Sequence, residues 1–179
     1  MKVYNTIEKQ ETSELVEKKS KFIANIFYVS TTLEAEEKLE QIRKKYYDAR
    51  HNCYAYRVIE DGNIIDRSSD DGEPSGTAGA PMLNILKKEN LCNVLVVVTR
   101  YFGGILLGTG GLVRAYSQST QDVIEKSVVI LKQEGYVATL EVEYKDLEKL
   151  RYFCKKAQNC EKNRAKLYFL CCKIFGIRL

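Results

Sequence analysis

The 179-residue chain lacks most of the sequence features that mark secreted, membrane-spanning and metal-binding proteins. None of its six cysteines forms a C-x2-C pair, which argues against a structural zinc site, and we expect neither a metal nor another cofactor. The chain has no run of about 18 apolar residues, and its first residues contain no apolar signal core. We therefore expect a cytoplasmic protein that spans no membrane and keeps its cysteines as free thiols.

The chain also contains only two prolines, no low-complexity tract and no internal repeat, and its charge is uneven. Residues 1–130 carry 17 Lys and Arg against 18 Asp and Glu, whereas residues 131–179 carry 11 against 6. The first part is therefore no general polyanion binder, while the second is either a basic patch or the solvated face of a helix. A turn signal at Glu134 and Gly135 supports two predicted domains, 1–130 and 131–179.

Hydrophobic periodicity predicts strands and helices mixed along the chain, and we expect an α+β protein. The predicted strands are at about 13–18, 21–29, 51–60, 63–67 and 91–99, with a hairpin turn at Asp61 and Gly62. Thr31 and Glu34 have the spacing of a capping box for a first helix. Thr77 is the predicted cap of a second helix at 78–88. Further elements are expected as a helix at 111–126, a strand at 136–144, a helix at 145–157 and a strand at 167–175.

Glycine is concentrated in one segment, because five of the eleven glycines lie within residues 103–111. Such density between a Val-rich strand and a helix indicates positive φ angles, or a backbone that another group approaches closely. The same layout presents backbone N–H groups to an anion, and Arg100 and Arg114 on either side add positive charge. A tight turn with close packing is the alternative, and the absence of G-K-[ST] argues against a P-loop.

Three carboxylates, those of Asp70, Asp71 and Glu73, lie within four residues of a predicted loop at 68–81. Carboxylate oxygens are ligands for Mg²⁺, which usually shares them with a phosphate. The alternative is a turn, in which aspartates bond to their own backbone. The acids would then pair with Arg67 or Arg100 and pin the two loops together.

The only histidine of the chain, His51, lies two residues before Cys53, so both side chains point to one face of a predicted strand. A thiol hydrolase would use such a pair with a third, orienting acid. Alternatively, Cys53 belongs to the core and His51 bonds to one of the two loops.

Aromatic residues accompany the arginines of the glycine cluster. Tyr101, Phe102 and Tyr116 together with arginine have the composition of a nucleic-acid stacking platform. The alternative is that Phe102 belongs to the core and that the two tyrosines are half-buried.

Two long motifs resemble the hallmarks of a known family. Residues 100–112 fit the pattern R-[FY]-F-G-G-x-x-L-G-x-G-G-L, and residues 68–81 fit S-x-D-D-G-E-P-x-G-T-A-G-x-P. An H-x-C-Y segment at 51–54 precedes them. Over about residues 20–126 the chain resembles the IMPACT/YigZ family, and without an extra N-terminal domain it is similar to the bacterial YigZ type.

The resemblance implies that the first domain is similar to a domain shared by a small-subunit ribosomal protein and domain IV of elongation factor G. The second would resemble domain V of that factor, a ferredoxin-like unit. Only 44 residues follow Gly135, however, whereas such a unit needs roughly 60. We therefore expect a short second domain with a truncated or altered end. The resemblance also implies a link to translation, because the eukaryotic members are translational regulators.

Together these observations predict a translation-linked factor that binds RNA or the ribosome through both loops, in preference to an enzyme. The predicted binding residues are Arg67, Glu73, Ser75, Gly76, Thr77, Gly79, Arg100, Tyr101, Phe102, Gly103, Gly104, Gly108, Gly110, Gly111 and Arg114. One open alternative is a small enzyme, either for a phosphate-containing or nucleotide ligand or of the Cys–His hydrolase type. Its candidate catalytic residues are His51, Cys53, Asp70, Asp71 and Glu73. The other is a protein–protein regulator of translation that binds no nucleic acid.

Overall fold

The computed structural model describes residues 3–133 and 144–158 of the chain. The chain divides into two compact units, Met1–Gly135 and Tyr136–Leu179. The described strands of the first unit are β1 (Val3–Ile7), β2 (Glu11–Glu17), β3 (Ser20–Tyr28), β4 (His51–Glu60), β5 (Asn63–Ser69), β6 (Val94–Tyr101) and β7 (Val129–Gln133). Its described helices are α1 (Thr32–Lys45), α2 (Gly79–Lys88) and α3 (Gly108–Lys126). The described part of the second unit is a 3-10 turn (Tyr144–Asp146) and α4 (Leu147–Gln158).

Five strands form one antiparallel sheet in the order β2-β3-β6-β4-β5, and β1 pairs with β7 in a separate ribbon. The central strand is β6, and its residues from Val94 to Arg100 are all buried. A strand covered on both faces is apolar along its length, which explains the unbroken run that ends at Val98. The glycine-rich segment follows β6 directly and is therefore placed at one end of the sheet.

Helices cover both faces of the sheet, so the first unit has three layers. Val96 and Val98 of β6 pack in one cluster with residues of α2 and α3. Leu95 and Val97 face the other way and pack in a second cluster with residues of α1. No helix in the described ranges is both long and apolar enough to cross a lipid bilayer.

The predicted α+β architecture is confirmed, and so are several local details. The Thr31 hydroxyl accepts a hydrogen bond from the N–H of Glu34 at 3.1 Å and caps α1 as predicted. Asp61 and Gly62 have φ angles of 49° and 74°, which a two-residue hairpin turn requires. The helix expected at 145–157 corresponds to α4. The strands expected at 136–144 and 167–175 lie outside the described residues, apart from residue 144 in the 3-10 turn.

Some expected limits of the elements are wrong. Thr77 does not cap α2, because its hydroxyl donates to the carbonyl oxygen of Pro74 at 2.6 Å, and Ala78 is the N-cap residue. The helix α3 begins at Gly108 instead of Gly111. The strand β1 was not predicted at all. The strand β7 pairs with β1 as far as Gln133, and the first compact unit ends at Gly135.

Candidate functional site

The acidic loop (residues 70–78) and the glycine loop (residues 102–111) are connected by a buried ion pair. Arg100 Nη1 lies 2.7 Å from Glu73 Oε1, and the two side chains are only 8% and 4% exposed. The Tyr116 hydroxyl donates to the same carboxylate oxygen at 2.9 Å. Glu73 therefore ties the acidic loop to the end of β6 and to α3, which confirms the expectation that an acid pairs with Arg100 and pins the loops.

The same pair determines what Arg100 is able to do. Its charge is matched by Glu73, and its guanidinium lies 5.5 Å from the ring centre of buried Phe22. Arg100 is therefore held in the protein interior and not presented to solvent. Arg67, the other expected partner of the acids, instead forms an exposed ion pair with Glu36 at 3.4 Å.

Asp70 organises the second half of the acidic loop. Its carboxylate accepts hydrogen bonds from the backbone N–H groups of Gly76, Ala78 and Gly79 at 2.8 to 2.9 Å. Burial raises the pKa of Asp70, but these three donors outweigh it and hold the pKa below its ordinary value. Asp70 thus supplies the cap of α2 that was wrongly assigned to Thr77.

We expect Asp70→Asn to lower the free energy of unfolding by about 1–2 kcal/mol near neutral pH, because a neutral amide with one oxygen is a poorer cap. A group whose pKa is depressed in the folded state adds stability above its unfolded pKa, and this is lost as the pH falls through its folded pKa. The difference between variant and wild type should therefore shrink below about pH 3.9. Urea unfolding over a pH series measures it, with exposed Asp61→Asn as control. A difference that does not change with pH would contradict this assignment.

The carboxylates of the acidic loop have separate partners. Asp71 Oδ2 accepts from the N–H of Asn52 at 2.7 Å, and its Oδ1 lies 3.3 Å from Arg43 Nη2. His51 Nδ1 donates to the carbonyl oxygen of Asp71 at 2.9 Å, as one of the two interpretations of His51 predicts. Within residues 3–133 and 144–158 no group of three or more His, Cys, Asp or Glu side chains is placed to share a metal ion. The three carboxylates thus have the geometry expected of a turn.

Cys53 lies beneath the acidic loop, in the core. Its thiol donates to the carbonyl oxygen of Asp70 at 3.0 Å and is fully buried. Burial, reinforced by the nearby carboxylate charges, raises the pKa of Cys53 to about 12, so the thiol is neutral at physiological pH. The His51 ring is bonded to Asp71. This pair therefore lacks the thiolate that a Cys–His hydrolase uses.

The glycine loop lies against the turn between β2 and β3. A Cβ added to Gly103 would overlap the backbone of Lys19 and Ser20, so only glycine permits this approach. The Gly103 N–H donates to the Ser20 hydroxyl at 3.2 Å. Lys18 and Lys19 occupy the turn with φ angles of 46° and 64°. Sequence reasoning missed both lysines, although two consecutive lysines between predicted strands were an available signal.

Apolar side chains of the glycine loop are exposed. Phe102 is 55% exposed and Leu106 is 83% exposed, so the interpretation of Phe102 as a core residue is wrong. Tyr116 is fully buried instead of half-buried, whereas Tyr101 is half-buried and its hydroxyl donates to Asp48 at 2.7 Å. We call the exposed residues at this end of the sheet the tip surface, and they are Lys18, Lys19, Phe102, Ile105, Leu106 and Arg114.

The positive charges of the tip surface have no partner in the part of the chain that the structure describes. Lys18, Lys19 and Arg114 form no ion pair and no side-chain hydrogen bond with another residue in the described ranges. The first turn of α3, which precedes Arg114, has no side-chain cap, because its N-cap residue is Leu107. This combination of free cations and uncapped backbone N–H groups favours a negatively charged ligand.

The family model of the Impact N-terminal domain matches residues 18–124, which is more than half of the chain. The chain belongs to the IMPACT family. The resemblance inferred from the two motifs is thereby confirmed. The IMPACT match begins at Lys18 and includes both loops and Arg114, so the whole tip surface lies inside the family domain.

Two bacterial IMPACT family members are similar over most of this chain. YvyE of Bacillus subtilis is 42% identical over 87% of this chain and 71% of its own length. YigZ of Escherichia coli is 40% identical over 73% of this chain and 64% of its own length. This IMPACT chain therefore spans about two thirds of the length of these relatives. A crystal structure of a hypothetical protein aligns with a TM-score of 0.71 and 34% identity, covering 88% of this chain and 77% of its own.

Proposed function

We propose that this IMPACT family member is a translation-linked factor that binds RNA, free or within the ribosome, through the tip surface. The observation that carries the proposal is a set of three cations, Lys18, Lys19 and Arg114, beside an exposed glycine loop. None of the three has an ion-pair partner among the described residues. Phosphate contacts made by Lys and Arg supply most of the affinity of sequence-independent RNA binding. The exposed ring of Phe102 adds a face on which a base stacks.

The glycine loop suits an approach by a phosphate backbone. At Gly104 and Gly108 an added Cβ would meet nothing within 4 Å, so the backbone is open to solvent there. Gly110 lies beside the end of the Arg114 side chain, with 3.7 Å between Nη1 and the position of an added Cβ. A phosphate of the RNA backbone would therefore contact the N–H groups of the glycine loop and the Arg114 guanidinium at the same time.

The buried members of the predicted binding set have an indirect role in this proposal. Thr77, Gly79, Glu73 and Arg100 are buried, so they hold the two loops in place without touching the ligand. Ser75 and Gly76 are exposed but belong to the acidic loop, where Asp70 fixes the backbone. Contact with RNA is thus assigned to the glycine loop and to the turn before β3.

Family membership supports the translational part of the proposal, because the resemblance implies translational regulation for the eukaryotic members. The exposed apolar side chains of Phe102, Ile105 and Leu106 also favour a second candidate, a protein partner in translational control that docks on the same surface. The two candidates differ in their dependence on salt, since counterion release is specific to the nucleic acid.

We expect the triple variant Lys18→Ala, Lys19→Ala, Arg114→Ala to flatten the salt dependence of RNA binding. Each phosphate contact with a single strand contributes about 0.7 to the slope of log affinity against log salt, so the slope should fall by about 2. Fluorescence anisotropy with a labelled strand of about 12 nucleotides measures it, from about 50 to about 200 mM salt.

The matched control removes three exposed lysines elsewhere on the first unit: Lys9→Ala, Lys44→Ala, Lys88→Ala. It changes the net charge equally and should leave the slope within experimental error. An equal fall in both variants would mean binding by net charge alone. Absence of binding by the wild type at low salt would overturn the RNA proposal, and a partner captured in the presence of nuclease would then identify the protein candidate.

A further inference from the structure

We propose that a groove between β2 and α3 receives one unpaired base of the bound RNA, so that the ligand is single-stranded; this inference rests on the proposed function. The groove has a volume of about 420 Å³. It is lined by Leu15 and Glu17 of β2, by Lys18 of the following turn, and by Arg114, Gln118 and Gln121 of α3. That volume lies within the range of small-molecule sites, about 300–1,000 Å³.

The groove is continuous with the tip surface. Lys18 and Arg114 belong to both, one on each side of the groove. A strand whose phosphate is held by these two cations carries its base at the groove entrance. The charge that attracts the backbone and the cavity that accepts the base are therefore adjacent.

The apolar walls of the groove suit the flat faces of a base. Leu15 and Leu107 are half-buried and supply apolar contact for the flat faces of the ring. Gly111 lies in the same wall, and a Cβ there would come within 2.9 Å of Leu107 Cβ. Apolar contact with these side chains does not depend on the identity of the base, because every base presents a flat face.

The polar groups at the groove favour a base with an exocyclic amine. The Glu17 side chain forms no ion pair or hydrogen bond with another described residue, so its carboxylate is available as an acceptor. Carboxylates accept hydrogen bonds from the amino group of cytosine. Gln118 Nε2 donates to Asp122 Oδ1 at 2.7 Å, which fixes its amide at the rim. We therefore expect cytosine to be preferred over uracil, which has no amino group.

A base inside a duplex is paired and stacked, so it does not enter a groove of this kind. The test compares four ligands of about equal charge by anisotropy: oligocytidylate, oligouridylate, an abasic ribose-phosphate oligomer and an RNA duplex. We expect oligocytidylate to bind about ten-fold more tightly than the abasic oligomer and the duplex. Oligouridylate should lie between them, because it stacks but offers no amine.

Glu17→Gln tests the specificity, since it should erase the preference for cytosine over uracil and leave affinity for the abasic oligomer equal or higher. Glu8→Gln is the matched control, because Glu8 is also exposed, has no ion-pair partner among the described residues and does not line the groove. Equal affinity for all four ligands would overturn the proposal that the groove receives a base, and it would leave the tip-surface proposal intact. Failure of every ligand to bind would overturn both.

Discussion

Arg100→Met should lower the free energy of unfolding by about 3–5 kcal/mol, because it leaves the carboxylate of Glu73 buried without its cation. The Tyr116 hydroxyl is the one remaining donor to that carboxylate oxygen among the described contacts. A single neutral hydrogen bond does not replace an ion pair at 2.7 Å. Urea unfolding at neutral pH measures the loss.

Two further variants distinguish the loss of the ion pair from the loss of side-chain packing as the cause of the destabilisation. The double variant Arg100→Met, Glu73→Gln removes the charge as well as its partner, so it should recover part of the stability that the single variant loses. The exposed pair of Arg67 and Glu36 is the control, and Arg67→Met should cost less than about 1 kcal/mol. If the double variant lost the sum of the two single losses, the ion pair would not be the cause.

Gly103→Ala should destabilise the first unit by about 3 kcal/mol, because the new methyl group overlaps the backbone of Lys19 and Ser20. Backbone atoms do not rotate away as the end of a side chain does, so the glycine loop and the lysine turn must move apart. We expect the salt slope of RNA binding to fall as well, since Lys18 and Lys19 then leave the glycine loop. Thermal unfolding and anisotropy measure the two effects.

Gly110→Ala is the control for this substitution, because its added methyl meets only the end of the Arg114 side chain, at 3.7 Å. It lies in the first turn of α3, where alanine is favoured over glycine by about 0.5–1 kcal/mol. Opposite signs for the two variants would identify the contact as the cause. Equal melting temperatures for Gly103→Ala and wild type would contradict the close packing described here.

Periodicity predicted the five strands of the large sheet and the helices of the first unit, because each has an apolar face that repeats with the period of its element. It missed β1, because these five residues have no clear periodic pattern. They form a strand by pairing with β7, which lies far along the chain. It also placed the start of α3 too late. Glycines at 108, 110 and 111 have low helix propensity, so the sequence gives no helix signal for a first turn that packing stabilises.

The candidate site was predictable where the partners belong to the two motifs. The link between Glu73 and Arg100, and that between His51 and the acidic loop, were among the stated interpretations. The burial of Arg100 was not, because it depends on β6 being central between β3 and β4. The lysine turn was missed for a similar reason, since only folding brings Lys19 against Gly103.

The pairing of β1 with β7 has a consequence for the order in which the first unit is made. Val3 lies opposite Gln133, and Ile7 lies opposite Val129. At about 5–20 residues per second, β1 leaves the site of synthesis roughly 6 to 25 seconds before its partner strand exists. During that interval the apolar side chain of Ile7, which is buried in the finished unit, has no β7 to pair beside it. We expect the backbone of β1 to stay without its β7 partner until residue 133 is added. For those seconds a chaperone would be able to bind it.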